Sequence, residues 1–194
     1  MNTIIGYISD GKVSLASSTA SYVNGIRRVE RTVENYPFKI LKNGIVIGFI
    51  GDRTARQVLF SHSRIFKLDR NKDLTMSYVT GVLIPEIHDL FHDADVETSS
   101  DDGLMGFAGN IIIAYKDKAF KIYGDYEVEL SLQYFAMGKF KVFSRVYLHE
   151  IDRHKDIEEQ LVDCFRNACG NTDDIQAPFI TVNTKDLHFN IVED

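Results

Sequence analysis

Short apolar-rich runs over Thr3–Ser9 and Lys12–Ser18 are joined by Asp10-Gly11, two residues that tolerate positive φ, so the chain is expected to open with a β-hairpin. A polar stretch around Tyr22 to Asn35 separates it from Phe38–Leu41 and Ile45–Ile50, which flank Lys42-Asn43-Gly44 and predict a second hairpin. From Asp52, whose side chain suits an N-cap, Arg53 to Phe66 carries Ala55, Val58, Leu59, Phe60 and Ile65 at close to helical spacing. Leu74 to Val96 reads as a long helix in which Pro85, lacking an amide hydrogen, must end one segment, open another or kink the rod. Ser99-Ser100-Asp101-Asp102-Gly103 breaks the chain, and strands are expected at Asn110–Tyr115 and Ala119–Tyr123, with a further one over Val128–Met137. Lys139–Glu150 and Ile157–Ala168 look helical, the second stopped by Gly170-Asn171, and Phe179–Asn183 and Leu187–Val192 close the chain as strands.

Strands, two helices, strands, two helices, strands is an order that two facing sheets with helix pairs outside would satisfy, because each apolar helix stripe needs a sheet to cover. A two-layer α+β domain fits the pattern as well. No repeat or linker divides residues 1–194, and one domain is expected. With 44% hydrophobic and 26% charged residues the composition is globular. A formal net charge of -6 offers no attraction to phosphate backbones or anionic lipid, so neither nucleic acid nor membrane is expected as a partner. Arg27, Arg28 and Arg31 alternate with Glu30 and Glu34, the pattern of a solvated face. Cys164 and Cys169 point about 140° apart around one predicted helix and read as free thiols. No basic segment followed by an apolar run opens the chain and no stretch reaches about 20 apolar residues, so a soluble, cytoplasmic protein is expected, without cofactor or metal.

Two constellations invite chemistry. His88-Asp89-Leu90-Phe91-His92 spaces two imidazoles one helical turn apart, as zinc peptidases do, but holds Asp in the place of their glutamate base, one methylene short. A polar helix face beside Asp93 and Asp95 is the preferred reading. Asp152-Arg153-His154 with Ser144 supplies the residue types of a hydrolytic triad, with Ser144 in a helix rather than on a sharp turn.

Four segments resemble the proteasome β-subunit family and its bacterial peptidase relative, within the N-terminal-nucleophile hydrolase superfamily. They are Thr3-Ile4-Ile5-Gly6 through Asp10-Gly11 into Val13–Ala16; Ala20-Ser21, similar to the family's Ala-Thr pair; Phe38-Lys39-Ile40 before Ile47–Gly51; and Tyr134-Phe-Ala-Met-Gly138. The resemblance implies a four-layer αββα sandwich and self-assembly into rings. It also implies a peptide ligand held by backbone pairing at Ala20 and Ser21.

In that superfamily the mature first residue attacks with its hydroxyl while its free amine handles the proton. Counting back from Ile4-Ile5-Gly6, the nucleophile falls at Asn2, whose carboxamide cannot replace a hydroxyl. The family aspartate falls at Ser17 or Ser18, and its Gly-Ser-Gly becomes Gly138-Lys139-Phe140. Lys39 matches the lysine and Gly51 the oxyanion glycine, a role that needs only backbone. The resemblance therefore implies a catalytically degenerate subunit. The alternative is an active threonine peptidase or amidohydrolase with Thr3 exposed by processing and Lys39 and Gly51 assisting. Because successive strand residues face opposite ways, Thr3 is expected to point away from the cleft.

Overall fold

The computed structural model describes residues 3–23, 26–29, 32–69, 72–99, 105–169 and 175–193. β1 (Thr3–Ser9) and β2 (Lys12–Ser18) form the first hairpin, with Asp10 and Gly11 at φ 52° and 73°. The stretch read as polar holds a two-stranded ribbon, β3 (Ala20–Val23) with β4 (Ile26–Val29). β5 (Phe38–Ile40) and β6 (Val46–Gly51) make the second hairpin, its turn closed by Gly44 at φ 91° and by the Leu41 amide donating to the Ile45 carbonyl.

Asp52 caps α1 (Arg53–Ser61), its Oδ1 accepting the Ala55 amide at 2.9 Å, and a 3₁₀ turn at Ser63–Ile65 follows. The expected long helix is α2 (Met76–Tyr78), a π segment Val79–Leu83 and α3 (Ile84–Asp93) in unbroken succession. Pro85 is the second residue of α3 and directly follows the π segment, whose altered hydrogen-bond spacing falls where proline lacks a donor. β7 (Glu97–Ser99) pairs with β8 (Met105–Phe107), and residues 100–104 between them lie outside the described residues. β9 (Gly109–Tyr115) and β10 (Lys118–Ile122) form a hairpin.

Residues 128–137, expected as one strand, form two. β11 (Val128–Ser131) pairs with β10, the chain crosses over at Leu132-Gln133, and β12 (Tyr134–Gly138) pairs with β1 in the other sheet. No Gly or Pro marks the crossover in the sequence, so nothing local separates the two strands. α4 (Lys141–His149), α5 (Ile157–Cys169), β13 (Phe179–Asn183) and β14 (Phe189–Val192) complete the chain, while Gly170 and Asn171 lie outside the described residues.

The strands form a first sheet ordered β12-β1-β2-β13-β14 and a second ordered β11-β10-β9-β6-β5. Ile4, Leu15 and Ile180 from the first meet Phe38, Val46 and Ile112 from the second in one buried cluster. Alternate residues of the first sheet, such as Ile5, Ala16 and Phe179, turn the other way onto Leu148, Leu161 and Phe165 of α4 and α5. Their counterparts Ile47, Ile111 and Ile113 in the second sheet pack with Leu59, Ile87 and Phe91 of α1 and α3. Period-two geometry thus commits both faces of each sheet to a core, which is why Ile111–Ala114 is uniformly apolar. Each such side chain stabilises the fold by roughly 1.5–3 kcal/mol.

The sandwich has two open sides. The two-residue crossover sets the β11 and β12 edges together on one of them. On the other, Tyr36 just ahead of β5 meets Phe189 of β14 edge to face, ring centroids 5.6 Å apart.

Candidate functional site

The residues singled out by sequence do not converge. Thr3 is 1% exposed, shares the face of Ile5 toward α4 and α5, and its Oγ1 accepts the Phe140 amide at 3.3 Å. Ser17 shares the inter-sheet face of Leu15, and its hydroxyl donates to the Thr3 carbonyl at 2.9 Å. Ser18 faces the opposite way and donates to the Gln176 carbonyl at 2.5 Å. Of the two serines, only Ser17 therefore shares a face with the inter-sheet core, and it brings no charge there. Asn2, the residue at the nucleophile position, lies outside the described residues, as does Met1.

Lys39 pairs in register with Ile47, which faces α1, whereas its neighbours Phe38 and Ile40 face the inter-sheet core. Its ammonium donates to the Phe60 carbonyl at the end of α1, and burial holds its pKa below the usual lysine value. Lys39 and Thr3 thus sit on the outward faces of two different sheets. Gly51 ends β6 at φ 135°, where a Cβ would collide with the Ala108 carbonyl and Gly109 Cα, so backbone packing alone demands glycine. Gly138 turns at φ 101° into Lys139, which is exposed, and Phe140, which precedes α4. The backbone of Ala20 and Ser21 pairs with Val29 and Arg28, while their side chains lie outside the described residues.

Beside Lys39 a cavity of about 490 Å³ opens between the β5 and β14 edges, walled by Phe38, Ile40, Phe60 and Phe189, with Val33 and Glu34 at its border. Its surface is mostly apolar, with Lys39, Gln57 and Ser61 among the polar residues that line it, and the Ser61 hydroxyl donates to the Val58 carbonyl at 2.9 Å.

One polar group in the inter-sheet layer escaped the sequence reading. Lys121 of β10 has a side chain only 2% exposed, and its ammonium meets Glu129 Oε1 of β11 at 2.5 Å. Tyr123 donates its hydroxyl to Glu129 Oε2 at 2.6 Å. Burial tends to raise the Glu129 pKa, but hydrogen bonds from Lys121 and Tyr123, with the Lys121 and Arg145 charges, hold it below the usual value. Burial and the adjacent Glu129 push Tyr123 up to about 12. Alternation along Ala119–Ile122 would send Lys121 to water, and the signal hiding it is that this face is covered by the other sheet.

His88 and His92 stack nearly parallel, ring centroids 6.3 Å apart, and reach Glu97 Oε1 and Oε2 at 3.4 and 3.1 Å. Glu97 also accepts the Tyr126 hydroxyl at 2.9 Å, and burial together with that carboxylate raises the Tyr126 pKa far above the usual phenol. The described residues hold no group of three or more His, Cys, Asp or Glu able to bind a metal ion. Ser144 is buried on the inward face of α4, whereas Asp152 and His154 are exposed, the His154 amide donating to Asp152 Oδ1 at 3.0 Å. Cys164 and Cys169 are not joined in a disulfide, and the Cys169 thiol donates to the Ile175 carbonyl at 2.9 Å. No helix among the described residues is long and apolar enough to cross a membrane.

The sequence matches no family model and no curated protein. Solved structures do match. Thiobacillus denitrificans BPH superposes over 93% of this chain and 96% of its own with a TM-score of 0.73 at 15% identity. Anbu, an ancestral β-subunit, from Yersinia bercovieri covers 100% of this chain and 87% of its own, with a TM-score of 0.71 at 10% identity. Eukaryotic HslV from Trypanosoma brucei covers 93% and 98%, with a TM-score of 0.60 at 13% identity. At such identities the likeness is one of fold, and the chain has the proteasome-like N-terminal-nucleophile hydrolase fold.

Proposed function

We propose that this chain is a catalytically degenerate proteasome-subunit-like protein, one four-layer αββα domain over residues 1–194, that acts in the cytoplasm as a self-assembling structural or interaction subunit. The observation that carries this reading is the separation of Thr3 and Lys39 onto outward faces of different sheets, with uncharged Ser17 on the inter-sheet face between them. A nucleophile needs its base within hydrogen-bond reach, and here the Thr3 hydroxyl accepts the Phe140 amide in a helix layer instead. Fold alone does not bring activity, since chemistry resides in the site. Self-assembly draws support from Anbu of Pseudomonas aeruginosa, whose structure is a helical assembly and matches at a TM-score of 0.70. A peptide ligand would pair along β3, which among the described residues has β4 as its only neighbour.

The alternative of an active threonine hydrolase makes a different prediction. Thiobacillus denitrificans BPH is also seen in complex with epoxomicin. The purified chain, incubated with epoxomicin and weighed intact, is expected to begin before Thr3 and to gain no mass. A chain starting at Thr3 that carries an epoxomicin adduct would overturn the degenerate reading.

A further inference from the structure

A groove follows β5, the last strand of the second sheet, and its two halves differ in character. The first half is the cavity of about 490 Å³ described above, with Phe38, Phe60 and Phe189 as its apolar walls. The second, of about 510 Å³, continues along β5 into its turn and is lined by Lys39, Lys42 and Arg64 with Asn43 and Ser63. Lys39 and Ile40 line both halves, so the two adjoin there. Two side-chain ties hold the walls in place. The Lys39 ammonium donates to the Phe60 carbonyl at the end of α1, and the Asn43 amide donates to the Phe66 and Leu68 carbonyls at 2.8 and 3.3 Å. They fasten β5 and its turn to the end of α1 and the segment after it, so the groove is formed before a ligand arrives and little binding energy goes into ordering it.

Charge is unevenly spread along it. The chain carries 28 acidic residues against 22 basic ones, yet among the described residues Lys39, Lys42 and Arg64 line the second half and no carboxylate does. Glu34 stands in the apolar half, where Arg53 also donates to Asn35 Oδ1 at 3.0 Å, so the border there carries both signs. Arg64 is shared with a neighbouring depression that Glu86, Asp89 and Asp93 line, but Lys39 and Lys42 do not border that depression. Burial works against the charge of Lys39 and lowers its pKa, and the Phe60 carbonyl takes one of its three donors. An anion lodged beside it would supply the counter-charge that a carbonyl does not.

We infer that this groove binds a small anionic amphiphile, a medium-chain carboxylate whose hydrocarbon tail lies among Phe38, Phe60 and Phe189 and whose head meets Lys39, Lys42 and Arg64. The apolar half alone would take up any hydrocarbon, and the basic half alone any small anion. Their junction at Lys39 selects a molecule that is both, with tail burial supplying affinity and the convergent cations fixing direction. Glu34, in the tail half, disfavours the reversed orientation. The site asks nothing of Thr3 or the chain start, so it stands whether or not the chain is catalytically degenerate.

Isothermal titration calorimetry of the full chain with octanoate tests this, with 1-octanol lacking the charge and acetate lacking the tail. Octanoate is expected to bind once per chain, 1-octanol at least about tenfold more weakly, and acetate without measurable heat, because head and tail both contribute. A head variant, Lys42→Gln with Arg64→Gln, changes two exposed residues and should weaken octanoate about tenfold or more while leaving 1-octanol as in the wild type. A tail variant, Ser61→Trp, places an indole in the apolar half from the end of α1 and should weaken both ligands. Circular dichroism checks that each variant is folded. No saturable octanoate binding by the wild type would overturn the inference. So would equal affinity for octanoate and 1-octanol, uptake of several octanoates per chain as by a detergent-binding surface, or undiminished octanoate binding by either folded variant.

Discussion

Removing the charge of Glu129 should destabilise this protein more than removing Lys121. In Glu129→Gln the Lys121 ammonium, its side chain 2% exposed, keeps its burial and loses its counter-charge. Breaking a buried pair from one side costs about 3–5 kcal/mol, and because Glu129 is itself 48% exposed, water takes up part of the loss, leaving roughly 2–3 kcal/mol. Lys121→Met removes the same pair from the other side, but keeps an unbranched chain in the core and leaves a carboxylate that can hydrate, so its loss should be under about 1 kcal/mol. The double variant should therefore match Lys121→Met rather than the sum. Urea unfolding followed by far-UV circular dichroism reads all four proteins. The pH dependence supplies a second arm. The folded Glu129 pKa lies below its unfolded value, so its contribution is present above the unfolded pKa and is lost as pH falls through the folded one. Wild type should lose that share in acid, and Lys121→Met should lose less of it, because Tyr123 and Arg145 still act on Glu129. If Lys121→Met proves as costly as Glu129→Gln, the ammonium is held by something other than this carboxylate and the reasoning fails.

Two further outcomes follow from the geometry. Gly51→Ala keeps the backbone amide yet forces a side chain onto φ 135° and into the Ala108 carbonyl, so the midpoint in urea should fall by the equivalent of about 2 kcal/mol or more; an unchanged midpoint would show that glycine is not a packing requirement there. Cys164 is buried and its pKa is pushed up to about 11 by that burial, so at pH 8 roughly one thiol in a thousand is ionised. Mass spectrometry after iodoacetamide should find Cys164 unmodified in the native chain and alkylated in urea, and rapid native alkylation would contradict the buried position.

Where local chemistry decides structure, the sequence was legible. Asp10-Gly11, Asn43-Gly44 and the Asp52 cap each carry their own backbone preference, and each stands where it was expected. The faces of Lys39 and Lys121 were not legible, because alternation says that neighbours point opposite ways but not which way is water. In a strand covered on both sides neither way is, so Lys39 matched a catalytic position by resemblance while its side chain runs to the Phe60 carbonyl. The split of residues 128–137 between two sheets was hidden for the same reason, since only tertiary pairing separates β11 from β12.

The same parity bears on whether Thr3 could serve after loss of two residues. To turn its hydroxyl into the inter-sheet layer, β1 would have to slip by one position, which sends every side chain of the strand to the opposite face. Gly6 stands on the inter-sheet face, where a Cβ would already lie 2.6 Å from Phe135 Cε1 and 2.9 Å from Leu15 Cδ2. After the slip that place would fall to Tyr7, and a phenol would have to enter a space too small for a methyl group. Ile4 would leave its contact with Gly48 for the helix layer, and Thr3 would give up the Phe140 amide. Overpacking by a few methylenes alone costs about 1–3 kcal/mol, and a whole aromatic ring exceeds that many times over in volume. Gly6 therefore acts as a register lock, and trimming the chain to Thr3 would expose a new amine without delivering its hydroxyl to the layer where Ser17 waits uncharged.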